Sequence, residues 1–200
     1  MMHMCSLRGL PDVAASLEAF DLLTLMSPSA EPPDWHVFSH TRHLRLVFND
    51  ISVPTPGLIA PDAMMLQAVL DFGRDSVASR PMLIHCWAGI SRSSAAAYII
   101  ACDRNPGFEN DIADELRRRS AVVTPNKWMV QLADDLLGRR GVMADAIARI
   151  GRGADAFDGA PYRLPLAWPL ASSNGEEESH AADALARGQV RMDAGSTQAG

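Results

Sequence analysis

Cys86 and Arg92 bracket the segment Leu83-Ile84-His85-Cys86-Trp87-Ala88-Gly89-Ile90-Ser91-Arg92-Ser93-Ser94, which holds the residue types best suited to chemistry in this chain. A Cys and an Arg at this spacing arise by chance in about one Arg-rich chain in four. Requiring His before the Cys, Gly at the third intervening position and Ser or Thr after the Arg lowers that to roughly 1 in 10,000. An apolar run ending at Cys86, a Gly that lets the backbone curl and a helix from Ser93 together aim backbone N–H groups at one point. That is an anion site of phosphate size. Trp87, Ala88, Gly89, Ile90 and Ser91 make the loop, and Arg92 returns from its far side to grip two phosphate oxygens in its planar fork. The same field favours the thiolate of Cys86, the form that attacks. A thiolate beside a held phosphate implies displacement at phosphorus and a cysteinyl-phosphate intermediate. Ser93 can donate a hydrogen bond to the sulfur and ease its departure in the second step. His85 lies one residue before the nucleophile and points away from the substrate, so its expected work is to shape the loop by hydrogen bonding.

The leaving-group oxygen needs a proton from a carboxylic acid on a loop that can close over the phosphate. Two Asp compete, Asp50 and Asp62. Asp50 is favoured because it follows a strand and opens a stretch broken by Pro54, Pro56 and Gly57. Asp62 follows Pro61 in the first turn of a helix, where a carboxylate already has a structural use.

The loop resembles the His-Cys-x5-Arg-Ser/Thr signature of the protein tyrosine and dual-specificity phosphatase superfamily. The resemblance extends from Leu44 to Leu137: Leu44 to Asp50 is similar to the strand that delivers the family's general-acid Asp. Thr124-Pro125-Asn126 through Gln131-Leu132 resembles the Pro-Asn then Gln-Leu helix start of dual-specificity members. As a whole the chain is most similar to the small bacterial predicted tyrosine phosphatases. The resemblance implies a metal-independent hydrolase without a cofactor, acting on a phosphorylated protein or a small phosphomonoester. No cation occurs among Trp87, Ala88, Ile90 and Ser91, where lipid and inositol-polyphosphate phosphatases tend to carry Lys. A single phosphate on an uncharged or aromatic leaving group therefore fits better, with Trp87 in the pocket wall. The rivals are a sulfurtransferase, which needs neither Asp50 nor Ser93, and a catalytically dead module that only reads phosphate.

Other reactive residues have plainer uses. Cys102 lies one turn past Tyr98 in the helix after the loop, where core packing is the default and a resolving thiol the alternative. Cys5 has no assigned role. His36, His40 and His43 span a loop and a strand start without a carboxylate partner, so no metal site is expected. Arg117, Arg118 and Arg119 read as a solvated helix face beside Asp114 and Glu115.

The elements that must position these groups alternate at first and then turn helical, an α/β layout with a central, mostly parallel sheet flanked by helices. Strands are expected near 3–7, 22–26, 44–48 and 82–85. Helical spacing covers Pro11 to Phe20, Pro61 to Ser79, Ser93 to Asp103, Asp111 to Arg119, Asn126 to Leu137 and Met143 to Ile150. The chain has 200 residues and 48% hydrophobic content, enough for one core. Residues 1–150 are expected to form the catalytic domain, 151–170 a Pro/Gly-rich extension and 171–200 a disordered acidic tail. A net charge of −6 removes the attraction to nucleic acid that a basic surface supplies. The longest apolar run, Ala95 to Cys102, is far short of a membrane span. Arg8, Pro11 and Asp12 stand where a signal peptide needs an apolar stretch, so a cytoplasmic location is expected.

Overall fold

Short apolar runs bounded by polar turns become the strands of a sheet covered on both faces. The computed structural model describes residues 1–31 and 33–170, so the acidic tail expected over 171–200 lies outside the described residues. The sheet is built from β1 (Met2–Ser6), β2 (Phe20–Met26), β3 (His40–Val47), β4 (Met82–Cys86) and β5 (Tyr162–Leu164), in the order β3-β2-β4-β1-β5. The pairs β3–β2, β2–β4 and β4–β1 are parallel, and β5 runs antiparallel to β1 at one edge. Every residue of β2 and β4 is buried, as expected of parallel strands with both faces covered.

The helices are α1 (Leu10–Ala15), α2 (Ala63–Arg74), α3 (Arg92–Arg104), α4 (Glu109–Arg119), α5 (Lys127–Leu136) and α6 (Val142–Ile150). Strand alternation divides the core in two. Leu23, Leu25, Met82 and Ile84 join the large cluster with α2 to α6, whereas Cys5, Leu22 and Leu83 join a small cluster with α1. The central α3, buried from Arg92 through Cys102, follows β4 across the loop 87–91. This loop lies at the C-terminal end of an interior parallel strand, where open α/β sheets bind ligands.

Two helices end earlier than expected, and the one read over Pro61 to Ser79 spans only Ala63–Arg74. The helix expected from Pro11 to Phe20 stops at Ala15, and Phe20 is the first residue of β2. Val13, Leu17 and Phe20 nevertheless pack into one cluster, so their spacing reported shared burial rather than one continuous helix. The edge strand β5 is an addition that no sequence signal marked. Met1–Trp168 forms one compact unit, so residues 151–168 belong to the same body as the sheet. Of the second unit, Pro169–Gly200, only Pro169 and Leu170 are described. Among the described residues no helix is long and apolar enough to cross a membrane.

Asp62 is the N-cap of α2, where its Oδ1 accepts from the Met65 amide at 2.8 Å. Replacing such a cap by Ala removes about 1 kcal/mol. Asp62→Ala is therefore expected to lower the urea midpoint by that equivalent with the chemistry at Cys86 intact. An Asp62→Ala protein that keeps its stability but loses turnover would instead mark Asp62 as the acid.

Candidate active site

The backbone between Cys86 and Arg92 is held from outside. Four of its carbonyls have partners beyond the loop: Trp87 O takes the Leu7 amide at 3.0 Å, Ala88 O the Gly159 amide at 2.8 Å, Ile90 O the Thr124 amide at 3.1 Å, and Ser91 O the Asn126 amide at 3.3 Å. Ser94 Oγ donates to Ser91 O at 2.8 Å and, more tightly, to Ile90 O. A trans peptide plane carries its C=O and the following N–H on opposite sides. The four outward carbonyls thus turn the amides of Ala88, Gly89, Ser91 and Arg92 inward. The Gly89 amide does point in, donating to Cys86 Sγ at 3.2 Å. Gly89 has φ +71°, and a Cβ there would stand 2.6 Å from Ser6 N and 2.7 Å from the Cys5 carbonyl carbon. Only glycine fits both the left-handed backbone and this contact with β1.

Ser91 is the N-cap of α3, but its hydroxyl does not cap the helix. It donates to Asp50 Oδ1 at 2.8 Å instead, which leaves the first-turn amides of α3 facing the loop. Asn126 Nδ2 donates to the same Oδ1 at 2.7 Å and to Ile51 O at 3.1 Å, while its own Oδ1 caps α5 by accepting from Met129 N at 3.0 Å. Asp50 is thereby tied to both the loop 87–91 and α5. The base of its loop is closed by Asn49, whose amide donates to Ile59 O at 2.7 Å and whose Oδ1 accepts from Ile59 N at 2.8 Å.

The Arg92 guanidinium is buried, its Nη1 donating to Phe48 O at 2.9 Å and Ser27 Oγ at 3.1 Å. Its Nε makes no hydrogen bond within the protein and lies 3.7 Å from Asp50 Oδ2. With Nη1 anchored, the Nε side of the fork is the one available to oxygens of a ligand. Cys86 Sγ also lies 3.3 Å from Ser93 Oγ. A cavity of about 520 Å³ opens over Cys86, Arg92 and Asp50, walled in part by Trp87 and Phe157. The structure so brings together Cys86, Arg92, Asp50, Ser93 and the loop 87–91, and leaves Asp62 at its helix cap.

His85 is fully buried below the loop. Its Nε2 lies 2.8 Å from Thr24 Oγ1, which lies 3.0 Å from His43 Nε2. A hydroxyl has one proton, so one imidazole donates to Thr24 and the other accepts from it. Burial, then the neighbouring His43, pushes His85 down to about 3, although a hydrogen bond with the Cys86 backbone pulls the other way. Burial, His40 and Arg45 push His43 down to about 4. Both rings are neutral at pH 7. The other thiols are packed in the core, where burial pushes Cys5 up to about 12 and raises Cys102 as well. Among the described residues no cluster of His, Cys, Asp and Glu could hold a metal ion.

Sequence reading missed Ser27, Gly159, Phe157 and the carbonyl of Phe48. Backbone groups and a lone Gly or Phe leave no pattern. Asn126 was visible as a helix start, but its bond to Asp50 depends on a loop 76 positions away.

No protein-family model matches the chain, and no curated protein matches it. The solved structures it is similar to are tyrosine and dual-specificity phosphatases. They include Tk-PTP in the active form, at 20% identity over 66% of this chain and 86% of that one, with a TM-score of 0.48. DUSP15 is 12% identical over 75% of this chain and 92% of that one, with a TM-score of 0.45. OH1 from the Orf virus, a tyrosine phosphatase, is 18% identical over 74% of this chain and 78% of that one, with a TM-score of 0.36.

Gly89→Ala should cost both fold and site, because the new methyl meets β1 backbone rather than a flexible side chain. The expected result is at least about tenfold weaker vanadate binding in a calorimetric titration. The histidines set a pH dependence of stability. Unfolded imidazole titrates near ~6.5, so below that pH the unfolded chain binds protons the fold refuses. Stability is expected to fall as pH drops from about 6.5 toward 4 for His43 and toward 3 for His85. Urea midpoints at a series of pH values measure this, and His43→Gln should flatten the decline.

Proposed function

We infer that this chain hydrolyses phosphomonoesters through a cysteinyl-phosphate intermediate, as a protein tyrosine or dual-specificity phosphatase. The observation that carries the reading is the opening of Cys86, Arg92 and Asp50 on one cavity, beside a loop whose Gly89 amide donates to the sulfur.

Substrate phosphate sits in the loop against the amides of Ala88, Ser91 and Arg92, with two of its oxygens on the free side of the Arg92 fork. The Cys86 thiolate attacks phosphorus. The S–P bond forms as the P–O bond to the leaving group breaks, and Asp50 gives its proton to the departing oxygen. In the second step water attacks phosphorus and loses a proton to Asp50, the S–P bond breaks, and inorganic phosphate leaves. Ser93 donates its hydrogen bond to the sulfur as negative charge returns there, which improves the leaving group. Arg92 and the loop amides meet the charge of the pentavalent transition state without reorganising, because the carbonyls and Nη1 are already anchored. Asn126 and Ser91 hold Asp50 at the rim and His85 supports the loop from below.

The nucleophile, the charge stabiliser and the proton donor all come from this chain, so the reaction is written without metal. Three free thiols, Cys5, Cys86 and Cys102, suit the reducing cytoplasm. Cys86→Ser is expected to reduce hydrolysis of an aryl phosphate, with EDTA present, by about 10⁴-fold or more. Asp50→Asn should lower kcat about 10²-fold and remove the limb of the pH profile that reports the acid. Asp62→Ala should leave both unchanged. A wild-type protein that binds vanadate but turns over no ester would make the loop a reader of phosphate and end the hydrolase reading.

A further inference from the structure

Next to the main cavity lies a second one of about 240 Å³, lined by Leu7, Arg8, Trp87, Phe157 and Asp158. The two share Trp87 and Phe157 in their linings, so these residues border both cavities. Both rings are unusually open for their size: Trp87 is 53% exposed and Phe157 is 75% exposed. Large apolar side chains left in water beside a binding cavity mark surface that a ligand covers.

The outer cavity is held at a fixed place relative to the nucleophile. Trp87 directly follows Cys86, and its carbonyl takes the Leu7 amide at 3.0 Å. On the other side, Gly159, two residues past Phe157, donates its amide to Ala88 O at 2.8 Å. Arg8 Nη1 pairs with Asp158 Oδ2 at 3.2 Å, and its guanidinium carbon lies 5.5 Å from the centre of the Phe157 ring. The β1–α1 turn, the phosphate loop and the segment before β5 are thus stitched together, with both rings projecting from the seams.

The chemistry of the outer cavity is apolar and charge-balanced. The Arg8 charge is already met by Asp158, and its guanidinium carbon sits over the Phe157 ring. An acidic group entering there would have to displace Asp158, and a basic one would meet Arg8. Leu7 and two aromatic rings instead offer area to an uncharged side chain, and the volume suits one of Leu to Phe size. Resting on the phosphatase reading above, we propose that this is a specificity subsite for a large apolar residue flanking the phosphorylated residue of a peptide, which makes phosphopeptides rather than small phosphomonoesters the substrate class.

The test uses phosphotyrosine peptides that differ only in carrying Leu, Ala or Asp on both sides of the phosphotyrosine. Binding of the fluorescein-labelled peptides to Cys86→Ser protein is followed by anisotropy, and kcat/KM is measured on wild type with an aryl phosphate alongside. The Leu-flanked peptide is expected to bind about tenfold tighter than the Ala-flanked one, and the Asp-flanked one weakest. In Cys86→Ser/Phe157→Ala the Leu-to-Ala ratio should fall to about one or two. Cys86→Ser/Arg8→Ala, which removes the Phe157 ring's charged neighbour, should reduce it in part. Equal binding of all three peptides, no binding of any, or a ratio unchanged by Phe157→Ala overturns the subsite. So does preferential capture by vesicles containing a phosphatidylinositol phosphate, which would assign the open rings to lipid. Loss of the catalytic reading shows up separately, as no turnover of aryl phosphate while the binding ratio persists.

Discussion

The chemistry proposed at Cys86 depends on turning the carbonyls of Trp87, Ala88, Ile90 and Ser91 away from it. A tight loop with its peptide planes reversed would present oxygens to the thiol and repel both thiolate and phosphate. Here each outward carbonyl is bound by a different neighbour: Leu7 after β1, Gly159 before β5, Thr124 and Asn126 before α5. The restraint is distributed around the rim, so no single contact decides the geometry, yet each plane has its own anchor. Gly89 makes this possible at the point where the loop touches β1, since any side chain there would push the planes off their partners.

Electrostatic groups are held by the same logic. Burying a guanidinium is costly unless its protons are used, and two partners on Nη1 offset that cost for Arg92 while leaving the Nε side for a ligand. Asp50 accepts from the loop through Ser91 and from the N-cap of α5 through Asn126, so the proposed acid and the loop are parts of one hydrogen-bonded shell. Below, neutral His85 fills the space under Cys86 and directs its polar contacts to Thr24 and the Cys86 backbone, adding no charge of its own there.

Much of this was legible because the decisive residues are close in sequence. Cys86, Gly89, Arg92 and Ser93 make a local pattern whose chemistry follows from spacing. The helices α3 to α6 lie within two residues of their expected ends, whereas α2 stops at Arg74, short of the expected Ser79. Asp50 was favoured over Asp62 because one opens a Pro/Gly loop and the other a helix, and the cap on α2 agrees with that contrast. What escaped was made by pairing across long separations. Three residues of β5 become a strand only because β1 offers them an edge, and Phe20 leaves the helical pattern because β3 and β4 flank β2. Gly159 and Phe157 reach the site through backbone geometry that composition does not encode.

The antiparallel edge strand also bears on the order in which the molecule is assembled. β1, β4 and the loop after β4 are synthesised well before β5, yet the Ala88 carbonyl finds its partner only when Gly159 has been made. Contacts of such high sequence separation form late, after the entropy of closing a long loop has been met. A chain still emerging from the ribosome therefore carries Cys86 at the end of a strand without the full set of oriented amides around it. Of the four outside anchors of the loop, the one on the Ala88 plane is therefore the last to be made, after those set by Leu7, Thr124 and Asn126.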